Sequence, residues 1–182
     1  MRIDPGTGDA SVADDEDGDP ELIESRRIRP EPGAELCVFA YGSLMWNPDF
    51  PFLDVEPATL YGYHRAFCIE STHYRGTKER PGLVLGLDRG GMCIGRMFRV
   101  APTHAVEAAD YLHEREMVGG VYEPKWLKLR LGERKSGERG SGERRAVALG
   151  YVADRQNRHY AGKLEAAETA KRIRGAVGRK GS

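Results

Sequence analysis

A carboxylate interrupts a pattern that should be apolar. Between residues 103 and 117 the chain has helical periodicity, with Thr103 placed to cap it. Ala105, Ala109, Leu112 and Glu116 follow steps of four, three and four, so they share one face. Glu107, Asp110 and Glu114 fall on other, polar positions. Glu116 therefore continues the buried stripe, whereas Glu114 faces water. Apolar surroundings disfavour the charged form of a carboxyl group and raise its pKa. A pKa raised toward the working pH is what a general base or acid needs. The same spacing also admits a stripe that stops at Leu112, leaving Glu116 solvated at a fraying end beside Arg115 or Lys125.

A second feature is the string Val38-Phe39-Ala40-Tyr41-Gly42-Ser43-Leu44. A strand running into a glycine turn and then a short helix presents free backbone N–H groups, which bind a carboxylate or stabilise an oxyanion. Gly42 lets a ligand approach the backbone closely, and Ser43 can cap the turn or hydrogen-bond the ligand. An ordinary tight turn has the same sequence. Other chemistries find less support. Ser43 lacks the GxSxG setting of a nucleophile. His113-Glu114 opens like a metalloprotease helix, but Met117 stands where the second histidine belongs. His64, His73, His104 and His159 show no ligand spacing, so no metal is expected. No Walker or dinucleotide-binding glycine pattern occurs, so no nucleotide cofactor is expected.

The elements that must position these residues are mostly short strands. Apolar runs predict strands over residues 36–40, 58–72, 126–131 and 146–153. Residues 83–87 and 93–100 read as two more strands joined in a hairpin by the turn Asp88-Arg89-Gly90-Gly91. A final amphipathic helix is predicted over 162–177. With no βαβ rhythm, the fold class is α+β: a compact, barrel-like curved β-sheet with flanking helices. Residues 1–33 combine Asp, Glu, Gly and Pro with few large apolar groups and read as a disordered acidic arm. The domain proper spans 34–177, with a mobile Ser-Gly-Glu-Arg loop at 133–145 and a basic tail at 178–182.

Composition narrows the setting. The 28 Lys and Arg balance 28 Asp and Glu, but the acidic residues gather at the start (Asp14, Asp15, Glu16, Asp17) and the basic ones at the end. Such tails speak of partners or self-association, not of fold. Arg172, Arg174, Arg179 and Lys180 lack the interleaved aromatics of base stacking, so nucleic acid is not an expected partner. No apolar run approaches the roughly 20 residues of a membrane span, and no secretion signal opens the chain. Cys37, Cys68 and Cys93 are odd in number and without a CxxC, which suits buried small hydrophobes in a reducing compartment. The expected location is cytoplasmic.

Taken together, four strings resemble the ChaC-type, glutathione-specific γ-glutamylcyclotransferases in order and spacing. They are Val38-Phe39-Ala40-Tyr41-Gly42-Ser43-Leu44-Met45-Trp46, Arg75-Gly76-Thr77, Arg80-Pro81-Gly82-Leu83-Val84-Leu85-Gly86-Leu87 and Arg115-Glu116. Tyr151-Val152-Ala153-Asp154-Arg155 and Tyr160-Ala161-Gly162 are similar to that family's later segment, so the resemblance covers residues 37–170. It implies a barrel-like α+β fold and a cofactor-free conversion of glutathione to 5-oxoproline and cysteinylglycine. It also implies that Glu116 is the catalytic glutamate and that Val38, Phe39, Ala40, Tyr41, Gly42, Ser43 and Leu44 form the substrate-holding loop. Arg75 and Arg80 are candidate anion contacts or pins of their own loop.

Two departures from the family pattern stand out. Ala40 occupies a position where the family more often has Gly. The family continues past the last helix with an Asn and a Tyr-Leu pair, whereas this sequence runs out at Ser182, so a shortened domain is expected. Two other readings share the fold: a non-catalytic module that binds γ-glutamyl or amino-acid ligands, and a cyclotransferase for other γ-glutamyl amines. Oligomeric state is not legible.

Overall fold

A computed structural model describes residues 18–72, 74–132 and 144–178. Residues 1–17 of the predicted arm, His73, residues 133–143 of the predicted loop and residues 179–182 of the tail lie outside the described residues. Strands β1 (Leu36–Ala40), β2 (Asp54–Ser71), β3 (Gly82–Val100), β4 (Tyr122–Leu131) and β5 (Arg144–Ala153) form a closed barrel in the order β1-β3-β2-β4-β5. Helices α1 (Pro20–Ser25), α2 (Ala105–Glu116) and α3 (Ala166–Gly175) flank it. The barrel-like α+β fold is therefore present, with the sheet fully closed.

Closure comes from β1. It pairs antiparallel with β3 from Leu36↔Val100 to Ala40↔Arg96, and parallel with β5 at Val38↔Leu149. Successive side chains of a strand point to opposite faces, and β1 uses both. Phe39 packs inside the barrel with Ala58, Leu60, Leu87 and Leu127. Leu36, Val38 and Ala40 point the other way, into a second apolar cluster with Ala105, Ala109 and Leu112 of α2. Cys68 and Cys93 are buried and Cys37 is half-buried; all three are free thiols. Burial pushes the Cys68 thiol up to about 11.

Two sequence expectations are corrected. The Asp88-Arg89-Gly90-Gly91 string does not reverse the chain. β3 runs unbroken through it, and pairing with β2 skips from Tyr61↔Met92 to Tyr63↔Arg89. Gly90 and Gly91 take positive φ (101° and 69°) to make a bulge, which bends and coils the long strand pair around the barrel. Glycines at positive φ serve a turn and a bulge equally well, so sequence alone did not separate them. The reversal lies instead at residues 72–81.

The second correction concerns the arm, of which residues 18–33 are ordered. Asp19 caps α1, accepting from the Glu21 and Leu22 amides. Ile23 and Ile28 pack on the α2 cluster. Arg26 pairs with Asp154 at 2.8 Å and Arg27 with Asp110 at 2.8 Å. A few anchoring side chains bind a segment whose average composition reads as disordered.

Gly95 marks the tightest packing against β1. A Cβ there would press into the Ala40 carbonyl oxygen and stand 2.7 Å from the Phe39 ring. Gly95→Ala is expected to destabilise the fold by about 1–3 kcal/mol, as overpacking does. Urea unfolding reads this directly, and an unchanged midpoint would show that β1 yields at no cost.

Candidate active site

Glu116 is the last residue of α2, and the helix carries it inward. Ala105, Ala109 and Leu112 on its face are buried, while Glu107 and Glu114 are exposed. Thr103 does not cap the helix; it lies in a short 3-10 turn, Pro102–His104, that precedes it. The Glu116 side chain is only 19% exposed and lines a cavity of about 950 Å³ at the barrel's edge. Desolvation pushes its pKa up, and the neighbouring Arg115 guanidinium, 3.4 Å away, pulls it down by less. Glu116 is thus not solvated at the helix end, although it does lie beside Arg115; Lys125 pairs with Glu123 instead.

Among the residues lining the same cavity as the carboxylate are Tyr41, Tyr122 and Tyr151. Burial raises the pKa of Tyr41, Tyr122 and Tyr151, and the Glu116 charge raises each of them further. They therefore stay neutral and keep their hydroxyl protons. Tyr122 Oη donates to the Leu85 carbonyl at 2.7 Å. Sequence reasoning missed Tyr122 and Tyr151 at this site. Each reads as an ordinary strand residue, and only the strand register discloses that they converge on α2.

The turn after β1 lines the same cavity. Ser43–Met45 make one 3-10 turn, with Met45 N–H donating to the Gly42 carbonyl. The first N–H groups of such a turn have no acceptor within it, and Gly42 offers no side-chain cap. A Cβ at Gly42 would meet nothing within 4 Å, so a ligand has open access to the backbone there. Phe39, Tyr41, Gly42, Ser43, Leu44 and Arg75 all line the cavity with Glu116.

Val38 and Ala40 do not line it, which corrects the expectation for those two. Strand alternation turns both toward α2, where they are fully buried. Arg80 is also absent from the lining; its guanidinium lies against Gly175 at the end of α3. Arg75 belongs to the 72–81 reversal, where its amide donates to Ser71 Oγ at 3.0 Å.

Three arginines grip the loop between Tyr41 and Asp49. Arg65 Nε donates to the Tyr41 carbonyl at 2.7 Å, and Arg96 Nη1 donates to the Met45 carbonyl at 3.2 Å. Arg115 Nη1 donates to the Asn47 carbonyl at 2.9 Å, and its Nη2 donates to Ser43 Oγ at 3.1 Å. The arrangement unites a largely desolvated carboxylate, neutral hydroxyls and a turn with free amides around one cavity. Such a set can move a proton at one atom while holding negative charge at another.

The raised Glu116 pKa has a consequence for stability. A carboxyl group whose folded pKa lies above its unfolded value favours the fold only when protonated, and this contribution is lost as pH rises through the folded pKa. The neutral isostere escapes that loss. Glu116→Gln is therefore expected to melt above wild type at pH 8, with the gap closing near pH 4. Melting curves across this range test it, and a gap independent of pH would contradict the buried carboxylate.

Comparisons with known proteins point the same way. The chain is 38% identical over 115 residues to a glutathione-specific γ-glutamylcyclotransferase of Escherichia coli, a match covering 63% of this chain and 49% of that protein. It is 34% identical over 149 residues to glutathione-specific γ-glutamylcyclotransferase 1 of Rattus norvegicus, covering 81% and 58%. The chain thus spans about half the length of these curated relatives. The crystal structure of a yeast γ-glutamyl cyclotransferase specific to glutathione has the same fold, with a TM-score of 0.72 at 24% identity and 82% of each chain covered. A family model described as ChaC-like protein matches residues 36–182, from the first barrel strand onward, and by that match the chain belongs to the ChaC-like family.

Proposed function

We propose that the protein cyclises the γ-glutamyl group of glutathione, releasing 5-oxoproline and cysteinylglycine. The observation that carries this reading is the Glu116 carboxylate, desolvated and lining one cavity with the Gly42–Ser43 turn. Relatives bearing the name of this activity support it.

The chemistry asks little covalent work of the protein. The glutamyl α-amine attacks its own γ-carbonyl carbon, so the substrate supplies the proximity. That amine is mostly protonated near neutral pH, and Glu116 takes the proton that frees its lone pair. As the carbonyl becomes tetrahedral, negative charge grows on its oxygen. Backbone N–H groups of the Gly42–Leu44 turn are suited to that oxygen or to the glutamyl α-carboxylate. The C–N bond to cysteine then breaks, and the protonated Glu116 returns a proton to the departing amine. The attacking nitrogen still carries one proton more than the lactam keeps. The first proton passes from Glu116 to solvent, the carboxylate takes this second one and hands it to the departing amine, and cysteinylglycine regains its third proton from solvent. The reaction suits a cytoplasmic setting, where glutathione is kept reduced.

With millimolar glutathione, wild type is expected to release both products, and Glu116→Gln to lose about 10²–10⁴-fold in rate. Product analysis by chromatography decides it. Glutathione bound without turnover by a folded wild type would replace the enzyme with a γ-glutamyl binding module. Equal rates for the two proteins would remove Glu116 from its role. Ser43→Ala is expected to cost less than Glu116→Gln, because the turn holds ligand by its backbone; an equal collapse would shift that role to the hydroxyl.

Because the base must be ionised, kcat/KM is expected to fall on acidification through a pKa above the ordinary carboxylate range. A pH–rate profile flat down to pH 4 would contradict a desolvated base.

A further inference from the structure

Arg115 touches both walls of the cavity. Its Nε lies 3.4 Å from Glu116 Oε1 on its own helix. Its Nη1 donates to the Asn47 carbonyl at 2.9 Å and to Tyr111 Oη at 2.7 Å. Its Nη2 donates to Ser43 Oγ at 3.1 Å, and Asp49 Oδ2 lies 3.6 Å from Nη1. The side chain is itself four-fifths buried. Arg65 and Arg96 hold the same loop, but they reach it from the sheet. Among the described residues, Arg115 is the cation paired with Glu116.

We propose that Arg115 is a positioning residue that couples the two halves of the site, clasping residues 43–49 to α2 while pairing with the Glu116 carboxylate. The proposal rests on the cyclotransferase reading only for the name of the reaction. The geometry suits an arginine specifically. A planar fork with five N–H donors can satisfy a carbonyl, two hydroxyls and a carboxylate at fixed angles, whereas a lysine presents one compact nitrogen.

The coupling also has an electrostatic side. The groups facing Glu116 are Arg115 from α2, Tyr41 from the end of β1, Tyr122 from β4 and Tyr151 from β5, with Asp49 on the far side of the guanidinium. The tyrosines are neutral, so Arg115 is the positive charge that offsets desolvation of the carboxylate. Losing the loop clasp and losing this charge are separable events. Removing the side chain removes both, and lysine restores only the charge.

The test uses the full chain as wild type, Arg115→Met and Arg115→Lys. Glutamate labelled with 13C at the carboxyl reports Glu116, assigned by the signal missing from Glu116→Gln. The indole N–H signal of Trp46, assigned by Trp46→Phe, reports the loop. In Arg115→Met the Glu116 midpoint is expected to rise, and the Trp46 signal to move away from its wild-type position. In Arg115→Lys the midpoint should stay near wild type while the Trp46 signal still moves. If Arg115→Met fails to fold, Arg115→Lys still tests the loop clasp and Arg115→Gln, which also lacks the charge, tests the effect on Glu116. The rate of Arg115→Met should drop at least tenfold at pH 7, with the deficit narrowing as pH rises. Either signal left unmoved in a folded Arg115→Met, or a Trp46 signal left in place by lysine, overturns the coupling. A wild type without turnover whose signals shift in the variants refutes the reaction and upholds the coupling.

Discussion

The barrel closes through its shortest strand. β1 has five residues, yet it must hold β3 antiparallel on one side and β5 parallel on the other. A parallel pair cannot be made by a tight turn, so the direction of β1 is fixed by closure itself. That direction decides at which end of the barrel β1 gives way to the Gly42 turn. Its alternation decides the rest: Phe39 fills the interior, while Val38 and Ala40 make the seat for α2. The helix on that seat ends at Glu116, beside the turn that β1 has just released. The strand thus positions both walls of the cavity.

Placing a carboxylate there sets two tendencies against each other. Desolvation favours the neutral acid, and the adjacent guanidinium favours the ion. The surrounding tyrosines contribute hydroxyl dipoles without a competing charge. A site balanced in this way can accept a proton and give it back within one turnover, which a fully solvated carboxylate does less well.

The parts legible in the sequence were those that depend on local period. The α2 stripe placed Glu116 inside because four positions at helical spacing share a face whatever surrounds them. The β1 strand and the turn after it were visible for the same reason. What escaped were features set by distant residues. Gly90 and Gly91 bend a strand because β2 continues alongside them, and nothing near them in sequence says so. α1 is held by Asp110 and Asp154, more than eighty residues away. Val38 and Ala40 belong to the right string yet face the wrong way for the cavity, because the string was read without its two-residue period. Tyr122 and Tyr151 join the site only once β4 and β5 are in register.

The grip on the loop between Tyr41 and Asp49 falls mainly on main-chain carbonyls, those of Tyr41, Met45 and Asn47. A carbonyl is common to every residue type, so that part of the hold is indifferent to the side chains, unlike the bond from Arg115 to Ser43 Oγ. Trp46 lines the cavity with 74% of its surface exposed. The rim can exchange such a residue while the barrel and the Glu116 wall stay as they are. The cavity in this way joins a wall fixed by the barrel and α2 to a rim whose side chains can change without loosening those carbonyl contacts.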